Sequence, residues 1–175
     1  MKEENMYLEG DKRGVILLHS YTSGSQDVVS LARFLNREGY SVYTPNLSGH
    51  GANVHLEEIL QHNVFEWQKD VNDAIDYMMQ KGFDKVAVFG LSLGGIMSFN
   101  QLINDDRVFA GGAFSSSPVL KQLSGVKAFF MHSYKKQMAS LNEPIREQEA
   151  IEKQLENIFK DVKAMNEENL SKLST

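Results

Sequence analysis

The sequence predicts an α/β fold in which a doubly wound, mainly parallel sheet is followed by a helical segment. Short, continuous apolar runs at Val15–Leu18 and Val86–Phe89 are typical of strands buried on both faces. Between these runs, apolar residues recur every three or four positions, as they do along crossover helices. Strands and helices that alternate in this way indicate right-handed βαβ units.

The first part of the chain contains two strands joined by one crossover helix. Apolar positions between 28 and 35 recur at helical spacing, and Gly39 is predicted to end this helix because glycine tolerates positive φ. The segment Tyr40–Thr44 is rich in β-forming residues, and Pro45 blocks its continuation. A loop at Gly49-His50-Gly51 follows this second strand.

Two further strand–helix units are predicted before residue 118. A helix runs from Asn63 to a stop at Gly82, and a strand at Val86–Phe89 follows it. A third helix covers Ile96–Ile103, and the fourth strand, Phe109–Phe114, is glycine-rich. The buried face of the helix that begins at Asn63 is predicted to consist of Trp67, Val71, Ala74, Ile75 and Met78.

The pattern changes after Pro118. Residues 143–168 are highly charged, and an apolar stripe within them indicates an amphipathic helix with no strand after it. We therefore predict two parts: an α/β core formed by residues 1–117 and a helical cap segment formed by residues 118–175. The stripe consists of Ile151, Leu155, Ile158, Phe159 and Val162.

Composition excludes several classes of partner. A net charge of −5 and a pI near 5.5 provide no attraction to phosphate backbones, so we predict no nucleic-acid partner. No apolar run approaches the ~20 residues of a membrane span. Because the chain contains no cysteine, it offers no disulfide or thiolate metal site, and we predict a cytoplasmic location. His50, His55 and His62 lack the i, i+4 spacing of helical metal ligands, so no metal or other cofactor is predicted.

The segment Gly90-Leu91-Ser92-Leu93-Gly94 matches the pattern G-x-S-x-G. It follows a predicted buried strand and opens a helix, which is the context that a serine nucleophile requires. Glycines at 90 and 94 remove side chains that would collide at so sharp a turn. Ser92 is therefore the candidate nucleophile. The alternative is a glycine- and serine-rich turn that only links strand to helix; a phosphate-binding loop would end in Gly-Lys-Ser/Thr, which is absent here.

A second polar segment, His19 to Gly24, follows the first buried strand. In an acyl-transfer site, one oxyanion donor is the backbone N–H after the nucleophile, here Leu93. The other donor comes from the loop after the first strand, and we assign it to the backbone of Tyr21. Ser20 and Tyr21 are also the candidate substrate-binding residues. His19 is interpreted as a structural residue that hydrogen-bonds the loop, with a catalytic base as the alternative.

Four segments together carry a family resemblance: Gly14–His19, Gly49–Gly51, the helix around Trp67, and Phe89–Gly95. They resemble the small bacterial carboxylesterase and monoacylglycerol-lipase branch of the α/β-hydrolase superfamily, over residues 14 to about 117. The resemblance implies the α/β-hydrolase fold and a nucleophile elbow at Ser92.

The loop after the first strand departs from the pattern of these esterases. In this branch it usually reads His-Gly-aromatic-Thr-Gly, and the resemblance implies that Tyr21 is the loop oxyanion donor. Ser20 and Ser23 stand where glycines are common. By position and helicity, the tail from Pro118 resembles the cap that such esterases insert.

The acid and histidine of a catalytic triad are not found after Ser92. In this fold they follow the nucleophile on loops after later strands, and none is predicted here. His132 is interpreted as a surface histidine beside lysines, and Asp105 and Asp106 as turn or cap residues. We therefore expect a shortened esterase that ends within or just after its cap, without its C-terminal strands.

Two functions remain open from the sequence. The first is serine hydrolysis of small carboxylic esters through an acyl-enzyme on Ser92. Thioesterase, peptidase and acyltransferase chemistry would use the same residues. The second is a catalytically inactive fold that binds or oligomerises. For either, the strand Phe109–Phe114 is expected to be an unpaired sheet edge through which the chain could form a homo-oligomer.

Overall fold

The computed structural model describes residues 5–116 and 124–173, which form a five-stranded sheet and its flanking helices. The strands are β1 Met6–Leu8, β2 Gly14–Leu18, β3 Ser41–Thr44, β4 Val86–Leu91 and β5 Val108–Phe114. The helices are α1 Val29–Arg37, α2 Leu56–Ile59, α3 Val64–Gln80, α4 Leu93–Asn104, α5 Ser124–Leu141 and α6 Gln148–Lys172.

The sheet has the strand order β1-β3-β2-β4-β5. Strands β3, β2, β4 and β5 run parallel, as the alternation of strands and helices predicts, and β1 pairs antiparallel with β3. The predicted α/β fold class is therefore confirmed. Strand β1 was not predicted, because its three residues lie within a charged segment and are only half-buried. The short helix α2 was also missed.

The two faces of the sheet bury different sets of side chains. Val15 and Leu17 of β2 pack with Ala32 of α1 on one face. Ile16 and Leu18, which point the opposite way because side chains alternate along a strand, join the larger core with α3 and α4. Both faces of β2 are thus covered, as its continuous apolar run predicts.

Helix α3 fixes the loop that contains Gly49 and Gly51. The Asn63 side chain caps this helix by accepting hydrogen bonds from the backbone N–H groups of Phe65 and Glu66. One turn later, the fully buried Trp67 donates from Nε1 to the Ser48 carbonyl at 3.0 Å. This bond joins the helix to the loop that follows β3.

Helices α5 and α6 pack on the α/β part and share its larger core. The Gln137 side chain of α5 accepts from Leu56 N at 2.8 Å and donates to the Val54 carbonyl at 3.0 Å. At the end of α6, Asn169 exchanges hydrogen bonds with Asn100 and Asn104 of α4. All five residues of the predicted apolar stripe are buried, which confirms the amphipathic helix.

The predicted boundary between residues 117 and 118 lies outside the described residues, so the division into core and cap stays a prediction. Within residues 5–116 and 124–173, none of the helices has the length and apolar character to cross a membrane.

A pair of buried histidines lies where β2 and β3 lead into their loops. The rings of His19 and His50 have centroids 5.0 Å apart, and the His50 ring also contacts Trp67 at 5.4 Å. Burial, together with the neighbouring His19 ring, lowers the pKa of His50 from 6.5 to about 3. Both rings are therefore neutral in the folded chain near pH 7.

Replacement of Gly95 by alanine is expected to destabilise the fold. A Cβ at this position would lie 2.5 Å from the Cβ of Ala113 and 3.0 Å from that of Ser116, so α4 would be pushed away from β5. Overpacking of this kind costs roughly 1–3 kcal/mol. Gly125→Ala is the matched control, since a Cβ there has no neighbour within 4 Å. Urea unfolding that gives both variants the same free energy of unfolding would contradict the packing argument.

Acidification is expected to destabilise the protein through His50. The pKa is lower in the folded state, so between about pH 6.5 and pH 3 the unfolded chain binds a proton that the folded chain does not. The free energy of unfolding then falls by about 1.4 kcal/mol per pH unit for such a histidine. His50→Gln should flatten this slope between pH 6 and 5, whereas the exposed His132→Gln should leave it unchanged. Equal slopes in wild type and His50→Gln would refute the assignment.

Candidate active site

Ser92 lies between the last residue of β4 and the first residue of α4, in a strained backbone conformation. Its φ of 53° and ψ of −111° lie outside the regions that non-glycine residues prefer. Hydrogen bonds on both sides hold this conformation. Ser92 N donates to the Phe114 carbonyl of β5 at 2.9 Å, and the Ser92 carbonyl accepts from Gly95 N at 3.0 Å.

The glycines around Ser92 are required by close backbone approach. A Cβ on Gly90 would lie 2.1 Å from the carbonyl carbon of Gly94. A Cβ on Gly94 would lie 2.7 Å from the carbonyl oxygens of Leu18 and His19, at the end of β2. The first turn of α4 therefore rests directly against the strand end from which the His19–Gly24 loop departs.

Two backbone N–H groups near this turn lack acceptors within the described residues. Neither Tyr21 N nor Leu93 N donates a hydrogen bond there. Leu93 is the first residue of α4, where N–H groups have no partner inside the helix and the helix dipole adds partial positive charge. The assignment of these two N–H groups to an oxyanion hole stays a prediction.

His19 is fully buried and uses both of its ring nitrogens. Nε2 accepts from Leu47 N at 3.0 Å, so Nδ1 carries the proton and donates to the Ser20 carbonyl at 2.7 Å. Burial lowers the pKa of His19 from its ordinary value of 6.5. With both nitrogens engaged, the ring has no free site at which to accept a proton from a nucleophile, which supports its interpretation as a structural residue.

The loop after β2 is held by a carboxylate that sequence analysis missed. Asp27 Oδ2 accepts from Ser20 N at 3.2 Å and from Ser20 Oγ at 2.5 Å, and Oδ1 accepts from Ser23 Oγ at 2.6 Å. A signal was present in the sequence, because serines at 20 and 23 replace the usual glycines and an aspartate follows within four residues. Short serine side chains commonly bond such nearby groups.

Tyr21 places its side chain beneath the helices of the C-terminal segment. Its ring contacts Trp67 at 5.8 Å, Phe159 at 4.9 Å and Phe130 at 6.1 Å between centroids. The hydroxyl is buried and has no hydrogen-bond partner within the described residues, and burial raises its pKa above the usual value. The ring is therefore packed within a buried cluster of aromatic side chains. The substrate-binding roles assigned to Ser20 and Tyr21 stay predictions.

The candidate triad residues after Ser92 lie in unsuitable places. His132 is exposed on α5. Asp105 follows the C-terminal end of α4, a helix of 12 residues and hence about 18 Å long, whereas Ser92 precedes its start. Arg107 binds Asp105 with hydrogen bonds of 3.0 and 2.7 Å and lowers the pKa of that carboxyl. Asp106 is exposed. Within the described residues, Ser92 Oγ has no hydrogen-bond partner.

The loop histidines pair with carboxylates. His55 Nε2 lies 3.0 Å from a carboxylate oxygen of Glu143, and His62 Nδ1 bonds Glu66. In the described parts of the chain, no group of three His, Cys, Asp or Glu side chains is arranged to hold a metal ion.

Two curated relatives each match about half of the chain. A carboxylesterase from Bacillus subtilis (strain 168) is 39% identical over 90 residues, which cover 51% of this chain and 36% of that protein. A thermostable monoacylglycerol lipase from Bacillus sp. (strain H-257) is 30% identical over 95 residues, covering 54% of this chain and 37% of that protein. Both matches span little more than a third of the relative's length.

Solved structures share the fold. A structure from work on the metagenome-derived lipolytic enzymes LipS and LipT has a TM-score of 0.61 and 27% identity, covering 68% of this chain and 48% of that one. The Paleococcus ferrophilus monoacylglycerol lipase has a TM-score of 0.55 and 23% identity, covering 74% and 49%, and this likeness shows the fold alone.

A protein-family model matches nearly the whole chain. It covers residues 10–172 and describes the family Hydrolase_4, serine aminopeptidase S33. With the parallel sheet, the turn at Ser92 and esterase and lipase relatives, this match makes the chain a member of the Hydrolase_4 (S33) family of α/β-hydrolases.

Proposed function

We propose that this chain carries the nucleophilic half of a serine hydrolase that cleaves small carboxylic esters through an acyl-enzyme on Ser92. The observation that supports this most is the strained backbone of Ser92, with φ of 53° at the junction of β4 and α4. A strained serine that projects from a strand–helix turn corresponds to a nucleophile elbow. Strain of this kind is typical of functional sites, because ordinary connections avoid its cost.

In the proposed reaction, Ser92 Oγ attacks the ester carbonyl and its proton passes to a histidine. The negative charge that develops on the carbonyl oxygen is stabilised by the N–H groups of Leu93 and Tyr21. The alcohol leaves with the proton, and water then hydrolyses the acyl-enzyme and releases the carboxylic acid product from Ser92. The acid and histidine of this triad are proposed to lie outside the 175 residues, because Asp105 and His132 are badly placed for either role.

The esterase assignment draws on the named relatives. A carboxylesterase and a monoacylglycerol lipase both act on esters, and each is at least 30% identical to this chain over about half of its length. The apolar surroundings of Tyr21, formed by Trp67, Phe130 and Phe159, suit an acyl chain rather than a charged substrate. Ser20 and Tyr21 are proposed to contact the substrate. Because the chain contains no cysteine, a cytoplasmic location is part of this proposal.

A second candidate function is a catalytically inactive binding or oligomerising module. Within the described residues, β5 pairs only with β4, so its other edge offers unpaired backbone groups. The strand has no charged residue, and Phe109 and Phe114 are 39% and 49% exposed. An uncharged edge of this kind favours strand addition by a second copy.

A fluorophosphonate probe tests the first function. In a longer version of the protein that contains a later Asp and His, labelling that disappears in Ser92→Ala and persists in the exposed-serine control Ser171→Ala is the expected result, because the probe reacts with an activated serine. Labelling that persists in Ser92→Ala contradicts the proposal. Should only a longer version that contains a later Asp and His be labelled, the activating residues lie beyond position 175.

Light scattering after size-exclusion chromatography tests the second candidate function, oligomerisation through the edge of β5. The mass of the wild-type chain is expected to rise with concentration, and Phe109→Lys should suppress the rise because a charge on an edge strand opposes pairing. Phe65→Lys is the matched control, since Phe65 is 66% exposed on α3. A wild-type chain that stays monomeric at every concentration excludes edge pairing.

A further inference from the structure

The carboxylate of Asp27 is an exposed group that nevertheless makes three hydrogen bonds to the loop after β2. It accepts from the backbone and hydroxyl of Ser20 and from the hydroxyl of Ser23. Gln26 Nε2 adds a bond of 3.0 Å to Ser23 Oγ. No cation among the described residues forms an ion pair with Asp27, so its charge is directed at these neutral donors. Bonds to a charged acceptor are stronger than neutral ones.

Two successive peptide groups of this loop are held from different directions. The peptide between His19 and Ser20 is held through its N–H by Asp27 at 3.2 Å. The next peptide, between Ser20 and Tyr21, is held through its C=O by His19 Nδ1 at 2.7 Å. In a trans peptide the N–H points away from the C=O. The bond from His19 therefore orients the peptide that carries the Tyr21 N–H, and the bond to Asp27 orients the peptide before it.

The rest of the loop is anchored to the loop after β3. The Ser23 carbonyl accepts from Gly51 N at 3.2 Å, and Ser25 N donates to Asn46 Oδ1 at 2.6 Å. A Cβ on Gly24 would lie 2.7 Å from the Cα of Gly51, so the two loops are in backbone contact. These anchors leave the segment around Ser20 as the part whose orientation depends on Asp27 and His19.

From this geometry we infer that Asp27 is a positioning residue for the oxyanion hole. Through Ser20 and Ser23 it holds the peptide before the one that His19 orients, and so acts together with His19 to set the direction of the Tyr21 N–H. The inference rests on the proposed function and deepens it. Ser20 and Ser23 are then the residues through which Asp27 acts. A loop with glycines at these positions could not form hydroxyl bonds to the carboxylate, whereas this loop forms two of them.

The test measures kcat and KM for hydrolysis of an ester such as p-nitrophenyl butyrate. It compares Asp27→Asn with the wild type, in a version of the protein that shows this activity. Asparagine keeps the size but replaces one acceptor oxygen by a donor, so it cannot accept from both serines. Deletion of an oxyanion donor costs 10²–10³ in kcat, and misdirection of one should cost about tenfold in kcat with KM unchanged. Glu38→Gln, which removes the same charge from an exposed site at the end of α1, should leave kcat unaltered.

A double-mutant cycle separates positioning from general stability. In Ser20→Gly/Ser23→Gly both hydroxyl partners of Asp27 are gone and only the backbone N–H at position 20 remains. An asparagine oxygen can still accept that one bond, so adding Asp27→Asn should change kcat little further. An equal loss of kcat in both backgrounds overturns the inference. So does an unchanged or increased kcat in Asp27→Asn alone, since an increase would mean that the carboxylate chiefly repels the oxyanion.

A readout that needs no turnover distinguishes failure of this inference from failure of the proposed function. The ¹⁵N–¹H chemical shift of the Tyr21 amide in the 175-residue chain should move in Asp27→Asn and stay in place in Glu38→Gln. A protein that hydrolyses no ester but shows this shift contradicts the proposed function alone. A protein that hydrolyses esters while the Tyr21 amide and kcat are both unaffected by Asp27→Asn contradicts the inference alone.

Discussion

The strained backbone of Ser92 is the constraint on which the rest of this structure depends. A serine with φ of 53° is stable only where its neighbours hold it, and here β5 holds it through the Phe114 carbonyl while α4 holds it through Gly95. Glycines at 90 and 94 let strand, turn and helix approach closely enough for these bonds to form. The site therefore needs β2, β4, β5 and α4 together, and no one of these elements could produce it alone.

The loop opposite Ser92 obtains its order in a different way. It has no strained residue of its own and relies on hydrogen bonds from buried His19 and exposed Asp27. His19 belongs to the core, where burial lowers its pKa, whereas Asp27 is exposed at the surface. A buried side chain thus orients one peptide of the loop, and an exposed carboxylate orients the peptide before it.

The helical C-terminal segment combines apolar and polar attachment. The stripe from Ile151 to Val162 buries its side chains in the common core, which supplies most of the favourable free energy of docking. Hydrogen bonds from Gln137 to the segment around α2 and from Asn169 to α4 fix the orientation of the two helices on the core. The buried Tyr21 hydroxyl, whose ring contacts Phe130 and Phe159 of this segment, has no hydrogen-bond partner within the described residues.

The sequence by itself determined the order of the main elements from β2 to β5, apart from the short helix α2, and the position of Ser92 between a strand and a helix. Runs such as Val86–Phe89 and the apolar stripe of α6 are local patterns, and burial requires the same residue types wherever they pack. Only the tertiary structure decided which polar groups meet. It shows that β1 pairs with β3, that both ring nitrogens of His19 form hydrogen bonds to backbone groups, and that Asp27 accepts hydrogen bonds from Ser20 and Ser23. A hydrogen bond depends on direction and on a few tenths of an ångström, and apolar periodicity carries neither.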